Sequence, residues 1–172
     1  DNWGSGEISH RYSYLADGTK MSIGDYENSG YQYAGSLVYS MDYGTVNSFE
    51  SASFGGGRIV GTVDDETEVR YFLTDHLGSV RAVVNSGCEV LERNDYQPFG
   101  KRWVTPSLPV SDNRDHFNGK EDQVFIGDCL ADYGARCYNK LNGRWLAQDP
   151  KAENFINSSH YCFCGNNPIN RI

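Results

Sequence analysis

YFLTDHLGSVRAVVNSGCEVLERNDYQPFG, residues 71–100, decides the fold class. It reads as strand, tight turn, strand, tight turn, strand. Asp75-His76-Leu77-Gly78 breaks the first run and Asn85-Ser86-Gly87 breaks the second. Between the breaks Val80, Ala82 and Val84 fall on one side, and Ser79, Arg81 and Val83 on the other, which is the period of a half-buried strand. A second unit of this kind lies upstream in HRYSYLADGTKM, residues 10–21, where Tyr12 and Tyr14 share a face and Asp17-Gly18 turns the chain. Asp-Gly between β-formers is a strong hairpin signal. Tyr31-Gln32-Tyr33 repeats the Tyr-x-Tyr opening, so the pattern points to repetition.

The 172 residues are one domain's length and suffice for a sizeable core. Twelve Tyr, 8 Phe and 19 Gly against 5 Pro argue for a β-rich chain with frequent turns. The mean hydropathy of -0.60 and the lack of a long apolar run argue against a membrane-spanning helix. No signal peptide is visible, but both ends look like cuts through a longer polypeptide, so this does not place the parent. A net charge of -8 argues against a general nucleic-acid binder, which needs a basic footprint. The acidic residues are dispersed, as on a solvated surface.

Strands are expected near 8–15, 30–40, 57–63, 68–74, 79–85, 89–97, 123–126, 131–138 and 143–148. Gly55-Gly56-Gly57 reads as a joint or bulge rather than a phosphate cradle, because no helix and no lysine follow it. Thr105-Pro106 and Leu108-Pro109 mark a loop. One short C-terminal helix is expected over Ser158–Cys164, with Ser158 as its cap, Gly165 as its left-handed terminator and Pro168 beyond. A single domain is expected, with hairpin repeats over 1–63 and a distinct core over 64–172.

Several ordered segments resemble the YD-repeat (Rhs) proteins and their Rhs-repeat-associated core. Tyr12-x-Tyr14-Leu-Ala-Asp17-Gly18-x-Lys20 resembles the YD repeat itself. Asp75-His76-Leu77-Gly78-Ser79-Val80-Arg81 and Tyr96-Gln97-Pro98-Phe99-Gly100 resemble two segments of the core. Arg136, Tyr138, Gly143, Arg144, Asp149 and Pro150 carry a third, and Asn166-Asn167-Pro168 a fourth. The resemblance is weakest over 43–57 and 104–114. The wording of the Asp17-Gly18 and Asp75-His76-Leu77-Gly78 segments is Bacteroides-like.

The resemblance implies a mainly β fold: antiparallel hairpins forming part of a spiralling YD-repeat shell. In polymorphic toxins such a shell encloses the protein's own C-terminal toxin domain, and in teneurins a similar shell serves adhesion. It implies a non-enzymatic structural module of a large secreted or cell-surface polypeptide. Its partners would be neighbouring repeats and a C-terminal domain of the same chain, with no nucleic acid, no membrane insertion and no cofactor. An isolated copy is expected to self-associate or to leave a strand edge exposed, since a solenoid fragment lacks its neighbours.

Some family members cut their own chain with two carboxylates in Asp-Pro motifs that share a proton. Asp149-Pro150 resembles the first motif but departs from it at Lys151-Ala152. The second falls beyond Ile172, so no catalytic residue is complete in this fragment, and Asp149 is the candidate in the parent. The plainer reading makes Asp149 a turn cap, with Arg144 as a partner for it or for another carboxylate.

Other constellations are weaker. Asp75-His76 reads as an Asx-type turn with the imidazole packed over the sheet. Cys137 with His116 or His160 could be drawn as a thiol–imidazole pair, but no local motif supports it. Asp112, Asp115, Glu121 and Asp122 could gather calcium, but their spacing fits no established loop. The five cysteines, Cys88, Cys129, Cys137, Cys162 and Cys164, read as small buried residues and no metal site is expected. Exposed aromatics (Trp3, Tyr26, Tyr31, Tyr33, Trp103, Trp145) leave adhesion or glycan binding as a further reading.

Overall fold

The computed structural model describes residues 10–62, 64, 66–103, 109–125, 129–154 and 156–171. The expectations at Trp3, Thr105-Pro106 and Leu108, and at the strand ends 8–9, 63 and 126, lie outside them. The chain divides into two compact units, Asp1–Arg70 and Tyr71–Ile172.

The first unit is an antiparallel meander. Its strands are β1 (His10–Tyr14), β2 (Lys20–Asp25), β3 (Gly30–Ala34), β4 (Leu37–Asp42), β5 (Thr45–Phe54) and β6 (Gly57–Gly61), each beside the next in chain order. The boundary between the units falls within β7 (Thr67–Thr74). Register sets the rows of side chains, because residues opposite one another share a face. Tyr12 faces Ile23, which faces Tyr31. Tyr33 faces Val38, which faces Ser51, which faces Val60. Ile23, Val38, Ser51 and Val60 are buried. The tyrosines expected on one face are therefore there, and the Tyr12 and Tyr14 rings stack at 6.3 Å. A bulge in β5 leaves Glu50 as the extra residue between Phe49 and Ser51. Its carboxylate meets the buried Arg58 guanidinium at 3.0 Å.

One turn design recurs in both units. In residues 15–19, 25–29, 75–79, 85–89, 97–101 and 116–120, the first residue's N–H donates to the carbonyl of the fifth, and the fourth residue's N–H donates back to the first. The fourth residue has positive φ each time: Gly18, Asn28, Gly78, Cys88, Gly100 and Gly119. This is the three-residue hairpin loop closed by a left-handed residue. Asp25, Asp75 and Asn85 strengthen their turns with one side-chain oxygen that accepts from the second and fourth residues beyond it.

The structure divides or adds several strands. Gly35, at φ 66, splits the expected 30–40 run into β3 and β4. Strand β5 was not expected, and β2 only as the return arm of the Asp17-Gly18 hairpin, without its extent to Asp25. The fourth residue of the turn before β3 is Asn28 rather than Gly, and β5 is rich in serine, so neither carries a strong signal.

The second unit holds the rest of β7, β8 (Val80–Asn85) and β9 (Val90–Arg93). A small hairpin, β10 (Asp95–Tyr96) and β11 (Arg102–Trp103), follows. A four-stranded antiparallel sheet comes last: β12 (Glu121–Asp122), β13 (Leu130–Asp132), β14 (Cys137–Asn139) and β15 (Arg144–Trp145). The expected 131–138 strand is divided by Gly134 at φ 82, and residues 124–125 are a turn rather than strand. β8 is not half-buried: Val80 and Val83, on opposite faces, are both fully buried.

The expected helix over Ser158–Cys164 is absent. His160 and Tyr161 form a turn, Cys162 bridges to Arg144, and Cys164–Asn166 is a short 3-10 turn. Seven residues are too few to hold an α-helix without strong packing. Here the backbone is drawn into pairing instead, with the Trp145 N–H donating to the Tyr161 carbonyl at 3.0 Å.

The second unit's core is aromatic. Phe117, Tyr138 and Phe163 are buried together, with Tyr96, Tyr133, Trp145 and Cys164 packed around them. Tyr138 and Phe163 stack with centroids 3.9 Å apart, and Tyr133 and Trp145 meet edge to face at 5.1 Å. Such pairs add about 0.5–1.5 kcal/mol each beyond the area they bury.

Candidate functional site

The segments singled out in the sequence converge on this cluster. A Cβ on Gly100 would collide with the Phe117 ring, and one on Gly143 would come 2.7 Å from the Phe99 ring. Both glycines also have positive φ, 88° and 67°. The Tyr138 hydroxyl donates to the Phe99 carbonyl at 2.9 Å. The Tyr96 hydroxyl donates to the Val80 carbonyl at 2.6 Å, and Arg81 pairs with Asp95 while lying over the Tyr96 ring. Asp75 caps its own turn. Asn118 binds that turn from outside, through its side-chain amide to the Leu77 carbonyl and its backbone N–H to the Ser79 hydroxyl. The Tyr133 hydroxyl donates to Asn118 Oδ1 at 2.6 Å. His76 is exposed rather than packed over the sheet. Its Nε2 donates to the Ile169 carbonyl at 3.0 Å, which joins the Asp75-His76-Leu77-Gly78 turn to the segment after Asn166-Asn167-Pro168.

Asp149 sits at the mouth of an open depression lined by Gln148, Pro150, Ala152, Glu153 and His160. One carboxylate oxygen accepts from the Lys151 N–H at 2.8 Å, which is the turn-capping role. The other meets a guanidinium at 3.0 Å, and it belongs to Arg136, where the sequence left Arg144 as a partner for it or for another carboxylate. Arg136 also lies over the Trp145 ring at 4.2 Å, so the aromatic cluster positions it. The Lys151 amide first, then Arg136, hold the Asp149 carboxyl below its usual range. It is held ionised, as an acceptor for the turn and as an ion-pair partner. The Gln148 side-chain amide lies 3.0 Å from His160 Nδ1.

A second constellation has no counterpart in the sequence reading. Glu92, His116, Asp122 and Lys140 are all buried, against the expectation that the acidic residues are solvated. Lys140 Nζ lies 2.6 Å from Asp122 Oδ1, and His116 Nδ1 lies 2.9 Å from Asp122 Oδ2. His116 Nε2 lies 2.9 Å from Glu92 Oε1. Asn94 and Ser111 donate to the Glu92 oxygens. Burial pushes the Glu92 pKa up, but hydrogen bonds from His116, Ser111 and Asn94, with the His116 charge, outweigh it and bring it to about 2. Burial opposes charge on His116 too, yet hydrogen bonds to Asp122 and Glu92 hold its pKa above the ordinary value. Beside this, Arg114 pairs with Glu121 at 3.1 Å.

The match to a family model decides the family. The model for the teneurin YD-shell matches residues 26–169. The chain belongs to the teneurin YD-shell family. Solved structures agree on the fold. The crystal structure of TcdB2-TccC3 superposes with a TM-score of 0.74 at 21% identity, over 93% of this chain and 9% of that one. The form of TcdB2-TccC3 without its hypervariable C-terminal region gives 0.75 at 20%, over 98% and 9%. A Photorhabdus luminescens Tc holotoxin pore gives 0.78 at 20%, over 95% and 8%. The YD-shell chain thus spans under a tenth of the polypeptides it matches. None of the curated proteins matches it.

Within the YD-shell fold, the calcium grouping of Asp112, Asp115, Glu121 and Asp122 does not assemble. Asp122 is occupied by Lys140 and His116, and Glu121 by Arg114. Among the described residues no three His, Cys, Asp or Glu side chains are placed so as to hold a metal ion together. His116 serves the two carboxylates, so the pairing drawn between Cys137 and His116 has another explanation. Cys88, expected buried, is exposed at a turn, while Cys137, Cys162 and Cys164 are half-buried. Trp145 is packed into the aromatic cluster, whereas Trp103 and Tyr26 are exposed. The buried charges Glu92, His116, Asp122 and Lys140 are 48 residues apart end to end. No local spacing announces them, and only the β9 pairing of Glu92 opposite the buried Val83 places one of them inside.

Proposed function

We propose that this YD-shell chain is a non-enzymatic structural module, the terminal part of a shell that encloses or presents a C-terminal effector of the same large secreted or surface polypeptide. The observation that carries this is how the motif residues are used. Gly100, Gly143, Phe99, Tyr138, Tyr96, Arg136 and Asn118's partner turn at Asp75 all serve close packing and turn clasping around one aromatic cluster. In this reading residues 1–63 are wall repeats and 64–172 the closing core. Its partners are neighbouring repeats and the C-terminal domain. The likeness to Tc toxin components, one of which carries a hypervariable C-terminal region, supports it.

The test uses the longer polypeptide with its native continuation. Limited proteolysis should spare the C-terminal domain while the shell is intact, and should digest it once Gly143→Phe opens the cluster. A C-terminal domain digested equally fast in both forms contradicts enclosure.

A second reading, self-cleavage with Asp149 as one catalytic carboxylate, is supported by the ionised Asp149 at an open depression. It predicts a cut in the longer polypeptide, seen by intact-mass spectrometry, that Asp149→Asn abolishes. An uncut wild-type chain leaves Asp149 as the Lys151 turn cap and Arg136 partner alone.

A further inference from the structure

His116 Nε2 has two neighbours that want opposite things of it. Glu92 Oε1, 2.9 Å away, can only accept a proton. Arg102 Nη1, 2.8 Å away, can only donate one. An imidazole nitrogen is a donor when protonated and an acceptor when bare, and cannot serve both at once. The other ring nitrogen, Nδ1, faces Asp122 Oδ2 at 2.9 Å and donates in either state. The ring is buried and cannot exchange these partners for water.

We propose that His116 is a pH-sensitive fastener, which ties Glu92 to Asp122 while protonated and, on losing its proton, turns its Nε2 to accept from Arg102. The elements so joined are β9, β11 and β12, and through Lys140 the turn after β14. Of the charged groups around the ring, Arg114 beside them is engaged by Glu121. Glu92 and Asp122 favour the proton, and Arg102, 3.6 Å from Glu92 Oε1, opposes it. Lys140 is occupied by Asp122. Tyr96 stays a neutral phenol, since burial first and then the charges of Glu92 and Asp122 raise its pKa. With the proton, two buried carboxylates face Lys140 and the imidazolium, with Arg102 partly exposed at the rim. Without it, Glu92 loses its charge-assisted partner and keeps Asn94, Ser111 and the more distant Arg102. The fastening is therefore complete at mildly acid pH and is relaxed as pH rises through the folded-state midpoint of His116, which lies above 6.5. Loss of the proton moves one hydrogen bond between strands and needs no unfolding.

The test is a nitrogen-15 NMR titration of the four histidines in the 172-residue chain. His116→Gln assigns the signal. If that variant does not fold, His10→Gln, His76→Gln and His160→Gln assign it by elimination. We expect a midpoint above 6.5 and, on the alkaline side, a neutral ring protonated at Nδ1 with a bare Nε2, the tautomer that is the minor one in a free histidine side chain. Arg102→Met should raise the midpoint further and erode the preference for that tautomer. A midpoint at or below 6.5, an alkaline ring protonated at Nε2, or a tautomer preference unchanged in Arg102→Met overturns the proposal.

Discussion

The two units are built from the same turns but held by different means. In the first unit the six-strand meander relies on its backbone ladder and rows of half-buried tyrosines, with the Arg58 guanidinium buried against Glu50. In residues 71–172 the strands are short, several only two residues long, and side chains carry the structure. An aromatic cluster and a buried four-group charge network do there what long ladders do in the first unit. A repeating wall needs units that add in register, for which ladders suffice. The irregular loops of the second unit lack such ladders and depend on packing and side-chain hydrogen bonds.

This difference can be broken most severely in the second unit's core. Phe163→Ala should cost that unit about 3–5 kcal/mol, read by denaturant unfolding, whereas Val38→Ala in the first should cost its sheet about 1–3 kcal/mol. A similar loss follows from Lys140→Met, about 3–5 kcal/mol, because Asp122 is left buried with half its partners. The exposed pair Arg81–Asp95 is the control, and Arg81→Met should cost under about 1 kcal/mol.

The turn glycines sharpen the same contrast. Gly18→Ala meets open space and strains only its left-handed backbone, at about 1–2 kcal/mol. Gly100→Ala adds a collision with Phe117, for about 2–4 kcal/mol in all. Equal losses at the two glycines, measured by thermal or denaturant unfolding, would contradict the packing account.

The pH dependence belongs to the second unit. Glu92 has its pKa lowered from 4.5 to about 2, so the stability it contributes is present above 4.5 and is lost as pH falls from there toward 2. That loss amounts to about 3 kcal/mol. His116 has the opposite sign, and its contribution is lost as pH rises through its midpoint above 6.5. Unfolding curves should show the second unit most stable between about pH 4.5 and 6.5. Glu92→Gln should flatten the acid limb. The smallest effect expected is a gain: Cys88→Gly relieves an exposed left-handed residue and should stabilise its hairpin by up to about 1 kcal/mol.

The turns show how far the sequence could be read. Asp75 through Gly78, and Asp17-Gly18, combine a side-chain acceptor with a glycine at the left-handed position, and both were legible. The turn over 25–29 has the same backbone but puts Asn28 at that position, so the extent of β2 and its return to β3 were missed. Val124-Phe125 looks like strand because it is apolar, yet it turns on the way from β12 to β13. The residues of the aromatic cluster were visible as motifs, but not why they matter. That Gly143 lies against Phe99, or that Arg136 rather than Arg144 reaches Asp149, depends on contacts between distant segments. Buried charges are the extreme case. Glu92 and Lys140 look like any solvated residue until the fold removes their water.

The contrast between the units is tested most directly by hydrogen exchange on the 172-residue chain, followed by mass spectrometry of its peptides at pH 6 and in Phe163→Ala. The account predicts that Phe163→Ala speeds exchange together in β8, β13, β14 and the turn over 116–120, while β3, β4 and β5 keep their wild-type rates. Exchange that rises only beside residue 163, or equally in β3 to β5, would contradict it.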